Sequence, residues 1–420
     1  MRRETPAIAL PPAVGEICAT LDRAGERAYV VGGSLRDLLL GREPADWDVA
    51  TTATPERVME LFGRTVPTGV AHGTVTVLIG ARSVEVTTLR GEGAYSDGRR
   101  PDRVEFLDDV DEDLARRDFT INAIAWDPVA REMRDPFDGR ADLEAGLLRA
   151  VGDPRRRFSE DGLRVLRAAR FSSALGFRLE SATRAAVSAC ASGLARVSAE
   201  RKREELSKTL AAPDPTPGLE LIGSAGLLGH LSPSAAGLAE SWELAVRRAA
   251  AVPPRLALRL AALLLDAGEG VACGFLGEMR FDRATRELAV RLVRFAPFGG
   301  DPDMPAAELR RALSRLGRDR VEDALELRRA ALEADETVES ERLGREQELA
   351  ERCLRELRGP AALSREELAI GGREVMRAAE IAPGPQVGRL LDALLERVLE
   401  RPELNDSEVL ERLAAELDGR

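Results

Sequence analysis

The strand-like patterns of this sequence are confined to its first third. Residues Thr74–Ile79 and 83–87 alternate apolar and polar side chains, which predicts a β-hairpin that turns near Gly80. From Phe158 onward the alternation stops, and apolar residues recur at helical spacing instead. The sequence therefore predicts an α+β protein, in which a small mixed α/β head is followed by an entirely helical remainder.

Breaks that contain proline divide the helical remainder, because proline ends or kinks a helix. They lie at residues 213–215, 253–254, 297–305, 359–360 and 383–385. A chain of 420 residues is also too long for one compact core. We therefore predict four segments: a mixed α/β head at residues 1–150, a helical neck at 151–225, a helical body at 226–358 and a helical tail at 359–420.

The charge of the chain is unevenly distributed. The net charge of −11 argues at first against a nucleic-acid partner. Residues 151–210, however, hold 13 Lys and Arg against 7 Asp and Glu, whereas residues 331–420 hold 13 against 22. A basic middle segment could bind a phosphate backbone, although a solvated helical face would show the same excess. Charge alone leaves both possibilities open.

The chain shows no pattern of an exported or membrane protein. Its first residues lack an apolar core of signal-peptide length, and the most apolar stretch, at 256–265, contains Arg259 and is shorter than a membrane span. Four cysteines are far apart in the sequence: Cys18, Cys190, Cys273 and Cys353. Their spacing fits neither a zinc site nor a disulfide framework. We therefore predict a cytoplasmic protein with reduced thiols and no membrane partner.

A glycine pair lies where a short apolar strand meets a helix. Residues 28–31 predict the strand, Gly32 and Gly33 follow it, and a helix is predicted at residues 34–40. The unpaired N–H groups and the dipole at the start of a helix favour an anion. Arg36 lies in the first turn, where its forked donors could reach the same phosphates. A tight turn would explain the glycines alone. The neighbouring residues must therefore decide between a turn and a phosphate-binding site.

Two aspartates follow the glycine pair. Asp46 and Asp48 are separated by one residue, and on the predicted strand this spacing directs both carboxylates to one face. Such carboxylates repel each other unless a cation or solvent lies between them. Magnesium prefers oxygen ligands and commonly joins one or two carboxylates to substrate phosphates. A solvated turn would explain the aspartates alone, but the combination predicts a phosphate site beside a magnesium site.

These motifs resemble a known family. Residues 32–41 together with 46–48 are similar to the signature of the class II tRNA nucleotidyltransferase and bacterial poly(A) polymerase family. Further blocks match in order, with a weaker likeness in the tail: residues 97–106, which resemble the family's flexible loop, 116–123, 157–171, and 383–391 with Asn405. The resemblance implies a nucleotidyltransferase head, a neck that carries a nucleotide-selecting helix, and a tail that binds tRNA.

The resemblance also implies roles for single residues. Asp46 and Asp48 would hold two Mg²⁺ ions, with Glu85 as the third acidic residue that faces them, unless Glu85 is only an exposed strand residue. One ion would lower the pKa of the tRNA 3′-hydroxyl and the other would neutralise the triphosphate. The implied nucleotide-binding residues are Gly32, Gly33, Arg36, Arg117, Asp161, Arg164, Arg167 and Arg170. Arg116 stays open as an alternative to Arg117.

Base selection can be argued from Asp161 and Arg164, which are three residues apart and would share one face of the predicted helix. An aspartate accepts from an exocyclic amine, and an arginine donates to a ring nitrogen. Cytosine and adenine present that pattern, whereas uracil and guanine reverse it. The pair would therefore admit CTP and ATP without a template, although a surface salt bridge is the simpler alternative. Arg167 and Arg170 would bind phosphate, shape the pocket or grip the tRNA acceptor stem.

The implied activity is the addition of CTP- and ATP-derived nucleotides to the 3′ end of tRNA, as complete CCA addition or as its A-adding half. In the family that the chain resembles, purely CC-adding enzymes tend to have the flexible loop shortened. The presence of residues 97–106 therefore argues against that activity. A poly(A) polymerase stays open, although the acidic tail differs from the basic extension of such enzymes. A catalytically inactive RNA-binding module would be expected to lack one of the acidic site residues, whereas Asp46, Asp48 and Glu85 are all present. The tail is expected to recognise the tRNA elbow by shape.

Overall fold

The structure, a computed structural model, describes residues 8–91, 106–295 and 302–417. They divide into two compact units. The first consists of the residues up to Thr209 together with 217–231, and the second consists of 210–216 together with the residues from Ser232 onward. The first unit contains the sheet and the second is helical, which confirms the predicted α+β class. The finer division into head, neck, body and tail stays a prediction.

One seven-stranded mixed sheet organises the first unit in the described part of the chain. The strands are β1 (Ala28–Val31), β2 (Asp48–Thr51), β3 (Thr65–Gly69), β4 (Thr74–Ile79), β5 (Arg82–Thr88), β6 (Ala125–Asp127) and β7 (Glu132–Arg134). Their spatial order is β3-β4-β5-β2-β1-β6-β7. Strands β2 and β5 are parallel, and the other neighbours are antiparallel. The predicted hairpin of β4 and β5 is confirmed.

The register of the central strands positions the later site. Strand β1 is entirely buried and runs antiparallel to β2, with Val30 opposite Val49. The end of β1 therefore lies beside the start of β2, where Asp48 is found. Because β2 and β5 are parallel, Asp48 pairs in register with Glu85. Paired residues of neighbouring strands point to the same face of a sheet, so both carboxylates face one side.

The described residues of the first unit also form helices. They are α1 (Pro12–Arg23), α2 (Gly32–Leu39), α3 (Pro55–Leu61), α4 (Val110–Ala115), α5 (Gly139–Glu144), α6 (Pro154–Glu160), α7 (Arg164–Leu175), α8 (Ser181–Ala189), α9 (Ala199–Leu210), α10 (Thr216–Ser224) and α11 (Leu228–Leu231). Two more short strands, β8 (Leu147–Leu148) and β9 (Arg178–Leu179), pair in parallel. Strand β9 lies in the segment at 151–225 that the sequence predicts to be entirely helical, so that detail of the prediction is wrong; the signal was missed because the strand is only two residues long. Buried apolar residues such as Tyr29, Leu89 and Leu114 form the core between the sheet and α4. This burial is the main source of the unit's stability.

The second unit is built from helices. They are α12 (Trp242–Ala251), α13 (Leu256–Leu264), α14 (Gly268–Glu278), α15 (Arg283–Phe295), α16 (Ala306–Leu316), α17 (Val321–Glu333), α18 (Ser340–Arg358), α19 (Gly372–Ala379), α20 (Pro385–Glu400) and α21 (Ser407–Leu417). The last three share an apolar core that includes Val375, Leu394, Val398 and Leu410. The break predicted at prolines 253–254 lies between α12 and α13, and the break predicted at 383–385 ends at Pro385, the first residue of α20.

By length and composition alone, the stretch Leu256–Glu278 could cross a membrane. In the structure it is divided between α13 and α14, because Gly268 has a φ of +75°. Arg259 within α13 is buried and donates to the backbone carbonyls of Leu210 and Ala212. A buried arginine that binds backbone carbonyls is typical of a core helix in a folded unit.

Candidate active site

The candidate site is a cavity of about 750 Å³ in the first unit. Its walls come from the β1–α2 turn, the start of β2, the segment after α4, the α6–α7 connection, and α7 and α9. The charged and amide side chains that line it are Arg36, Asp48, Arg90, Asp113, Arg116, Arg117, Asp118, Asn122, Asp161, Arg164, Arg167, Arg170, Arg201 and Lys208. The excess of cationic side chains suits an anionic ligand such as a nucleoside triphosphate.

The glycine turn packs against charged side chains. Gly32 has a φ of +68°, and a Cβ built there would lie 3.1 Å from Arg117 Nη1 and 3.3 Å from Asp48 Oδ2. Only glycine combines this backbone conformation with so close an approach. Helix α2 begins at Gly32, two residues earlier than the sequence predicts. The turn thus brings the start of a helix, one carboxylate and one guanidinium together.

Asp48 is mostly buried among charged side chains of both signs. Burial raises the pKa of Asp48, with contributions in the same direction from Glu85 and Asp46, while Arg117 and Arg36 oppose them. A cation bound beside Asp48 would offset this cost of ionisation. In the described residues no three His, Cys, Asp or Glu side chains converge closely enough to hold an ion alone. The residues fit magnesium in the usual manner, with one or two carboxylates and substrate phosphates completing the ligands.

The prediction that Asp46 and Asp48 share one strand is wrong. Strand β2 begins at Asp48, and Asp46 lies exposed in a bend before it. Between them, Trp47 is buried. Asp46 therefore approaches Asp48 from a loop, whereas Glu85 approaches from the neighbouring strand.

Three arginines near the glycine turn are held by acidic or amide partners. Arg36 Nη1 donates to Asn122 Oδ1 at 2.8 Å. Arg117 Nη2 lies 3.0 Å from Asp113 Oδ2, and Arg116 binds the other oxygen of Asp113. Burial alone would raise the pKa of Asp113, but the two guanidiniums outweigh it and lower the pKa. Arg116 and Arg117 both line the cavity, so the choice between them stays open.

The prediction that Asp161 and Arg164 lie on one helix is wrong. Helix α6 ends at Glu160, Asp161 is extended with a φ of −142°, and α7 begins only at Arg164. Asp161 Oδ1 accepts from the backbone N–H of Leu163 at 3.0 Å, which stabilises a turn instead of a helix. Both side chains nevertheless line the cavity.

The two further arginines of α7 contact an aromatic ring. Arg36, Arg167 and Arg170 lie within 5.2, 5.4 and 4.2 Å of the centroid of the Phe171 ring. Arg167 forms an ion pair with the buried Asp118 at 2.6 Å. Burial and the charge of Arg167 lower the pKa of Arg170 to about 10. A group of guanidiniums held on one ring can bind phosphate or stack on a base.

Comparison with known proteins assigns the chain to a family. Residues 28–149 match the family described as "Poly A polymerase head domain", and residues 176–238 match "Probable RNA and SrmB- binding site of polymerase A". The CCA-adding enzyme of Lactobacillus helveticus is 36% identical over 404 residues, which cover 96% of each chain. That of Geobacillus kaustophilus is 38% identical over 402 residues, which cover 93% of each. The chain belongs to the CCA-adding enzyme family.

Solved structures of CCA-adding enzymes are similar to this chain over nearly its whole length. The enzyme of Bacillus stearothermophilus in complex with CTP has a TM-score of 0.76 and 32% identity, over 97% of this chain and 98% of that one. The Thermotoga maritima enzyme complexed with tRNA has a TM-score of 0.62 at 23% identity, over 97% of this chain and 96% of that one, which supports the fold alone. Nucleotidyltransferases of this kind generally use divalent metals. Residues 92–105, which include most of the family-like loop at 97–106, lie outside the described residues.

Several residues of the cavity were not found from the sequence. Asp113, Asp118 and Asn122 hold arginines of the site, and Arg201 from α9 holds Asp161. Glu205, also on α9, does not line the cavity but pairs with Arg170. Asp118 and Asn122 belong to the family-like block at 116–123, so that block was the available signal. No spacing rule points to α9, because its partners lie about 35 to 40 residues earlier.

Gly162 gives a stability and activity prediction for this family member. A Cβ at Gly162 would lie 2.3 Å from the carbonyl oxygen of Gly193, a backbone atom that cannot move aside. We expect Gly162→Ala to displace the turn that carries Asp161, to lower the free energy of unfolding by about 1–3 kcal/mol, and to impair nucleotide addition. Thermal unfolding and nucleotide incorporation measure the two effects.

Gly63→Ala is the matched control, because a Cβ there meets nothing within 4 Å and the residue has no positive φ. Equal stability and activity of the two variants would contradict the close packing of Gly162.

Proposed function

We propose that this protein adds cytidine and adenosine nucleotides from CTP and ATP to the 3′ end of tRNA without a template and releases pyrophosphate. The observation that carries the proposal is the cavity in which Asp48, the glycine turn and the Asp161–Arg164 turn meet. It joins a carboxylate, a helix start that would bind phosphate and two side chains that would contact the base. The correspondence with CCA-adding enzymes over nearly the whole chain supports it.

The proposed roles follow the chemistry of each side chain. Asp48 would be the central carboxylate for Mg²⁺, with Asp46 or Glu85 as a second ligand and substrate phosphates completing the set. When bound, Mg²⁺ lowers the pKa of the tRNA 3′-hydroxyl and neutralises the triphosphate. The N–H groups of the Gly32–Gly33 turn would bind the triphosphate. Arg36 would orient it, because Asn122 and Asp37 already hold the guanidinium.

Base selection would use Asp161 as acceptor and Arg164 as donor. Arg164 is bound by Glu160 at 2.7 Å and by the carbonyls of Arg157 and Arg116. Its five N–H donors exceed these contacts, so a donor is left for a base. Uracil would place an acceptor against the carboxylate, and the unpaired groups would cost about 1–3 kcal/mol each.

The proposal extends to binding and location. The tail helices would contact the tRNA elbow through local basic residues, despite the acidic balance of the segment. The four cysteines are free in the described structure, which agrees with a cytoplasmic protein.

The test is to supply purified protein with Mg²⁺, each nucleoside triphosphate and tRNA that lacks the terminal CCA, C-A or A. We expect ordered addition of C, C and A that stops after three nucleotides. A single A, added only after CC, would identify the A-adding form. Long adenosine runs on unrelated RNA would identify a poly(A) polymerase, and no incorporation would reject enzymatic activity.

A further inference from the structure

The orientation of the Asp161 carboxylate depends on an arginine from a different helix. Arg201 on α9 reaches across the cavity, with Nη2 at 2.7 Å from Oδ2 and Nη1 at 3.3 Å from Oδ1 of Asp161. A guanidinium that faces both oxygens of a carboxylate fixes its plane as well as its position. The side chains of Asp161 and Arg201 are 17% and 25% exposed, so the pair is mostly shielded from water.

Arg164 does not form an ion pair with Asp161, although the two are close in sequence. Its guanidinium binds Glu160 and the carbonyl oxygens of Arg157 and Arg116 instead. Asp161 and Arg164, the two residues proposed to contact the base, are thus each bound by other partners and not by one another. If Arg164 and Asp161 bound each other, the donors and acceptors that a base needs would be consumed within the pair.

We propose that Arg201 is a specificity-determining positioning residue that holds Asp161 apart from Arg164 and so keeps both side chains open to the base. This inference rests on the proposed function of the cavity. Arg201 acts through Asp161 and is not itself assigned a contact with the base. A carboxylate oxygen has two lone pairs, so Asp161 can still accept from an exocyclic amine while Arg201 binds it.

The role predicts a change in nucleotide choice. Without Arg201, the Asp161 carboxylate loses its fixed plane and can pair with the adjacent guanidinium of Arg164. The discrimination that depends on an oriented acceptor should then be lost, while the carboxylates at Asp48 and Glu85 are untouched. We expect the ratio of kcat/KM for CTP to that for UTP to fall about tenfold in Arg201→Ala, with KM for CTP raised more than kcat is lowered.

The experiment measures the ratio of kcat/KM for CTP to that for UTP on tRNA lacking CCA. It also measures the ratio of kcat/KM for ATP to that for GTP on tRNA lacking only A. It compares the parent, Arg201→Ala, Arg201→Gln, Asp161→Asn and the double variant Arg201→Ala/Asp161→Asn. Because Arg201 acts through Asp161, removing it should change the ratio little once Asp161 is already asparagine. Glutamine is similar in length to arginine but has no charge and cannot face both carboxylate oxygens as a guanidinium does. Arg201→Gln should therefore also lose discrimination, and it keeps the test valid if Arg201→Ala is unstable. Arg23→Ala, on the exposed face of α1, is the control.

A uniform loss of activity with all four nucleotides, at an unchanged ratio of kcat/KM values, would overturn the inference. Arg201 would then be a structural residue. Independent, additive effects of the Arg201 and Asp161 substitutions would overturn it as well. A parent protein that adds no nucleotide to tRNA would instead reject the proposed function itself.

Discussion

Replacement of Asp48 by alanine is expected to lower the rate of nucleotide addition at least about a thousandfold and to leave the protein folded. The carboxylate lies at the start of β2, in register with Glu85 and beside the glycine turn. Without it, the proposed magnesium site would lose its central carboxylate. Single-turnover incorporation of CTP into tRNA lacking CCA measures the loss.

A second variant, Asp48→Asn, tests the effect of the Asp48 charge on stability. Because burial and neighbouring carboxylates raise the pKa of Asp48, its ionised form is unfavourable in the folded protein near neutral pH. Asp48→Asn should therefore unfold at the same or a higher temperature than the parent when divalent cations are absent. Asp22→Ala, on the exposed face of α1, is the control for activity. Turnover that survives in Asp48→Ala, or unfolding of Asp48→Asn at lower temperature, would contradict this assignment.

Removal of Asp118 is expected to have the largest effect on stability. Asp118 is buried and accepts from Arg167 Nε at 2.6 Å, from Asn122 Nδ2 at 3.0 Å and from the backbone N–H of Phe119 at 2.8 Å. Asp118→Ala leaves these donors without their acceptor. We expect the free energy of unfolding to fall by about 3 kcal/mol, somewhat moderated because Arg167 is partly exposed. Denaturant unfolding measures the change.

The stability lost on replacing Asp118 should become smaller as the pH falls. Burial alone would raise the pKa of Asp118, but Arg167, Asn122 and Arg164 outweigh it and hold the pKa well below its ordinary value. A lowered pKa stabilises the folded state fully above the unfolded pKa of about 4, and this contribution is lost as the pH falls further. The difference between the parent and Asp118→Asn should therefore narrow by about 1.4 kcal/mol for each pH unit below about 4.

Asp127→Asn is the control for that titration, because Asp127 only accepts from the N–H groups of Val129 and Ala130 in a turn. A difference between the parent and Asp118→Asn that stays constant down to pH 3 would show that the Asp118 ion pair does not stabilise the fold.

The features predicted correctly from the sequence depend on neighbours along the chain. Alternation in β4 and β5 predicted their hairpin, because the side chains of a strand face two environments with a period of two. The glycine pair predicted a helix start after β1, because only glycine tolerates the backbone of Gly32. The ordered motifs predicted the family, which the full-length relatives confirm.

The wrong predictions arose where contacts distant in sequence decide the backbone. The spacing of Asp161 and Arg164 predicted one helix face, but Gly162 packs on the backbone of Gly193, and this approach accompanies a turn between α6 and α7. Asp46 was placed on a strand by its spacing from Asp48, whereas β2 starts one residue after the buried Trp47. Periodicity carries no information about such contacts.

The sequence by itself determined which residue types this protein brings to nucleotides: a glycine turn, acidic residues and a series of arginines in a fixed order. Only the tertiary structure decided which partner holds each of them. Asp113 pairs with two arginines of its own segment, whereas Asp118 reaches Arg167 and Asp161 reaches Arg201 across 49 and 40 residues. The physical reason is that an ion pair depends on distance in space and on burial, and the packing of separate helices sets both.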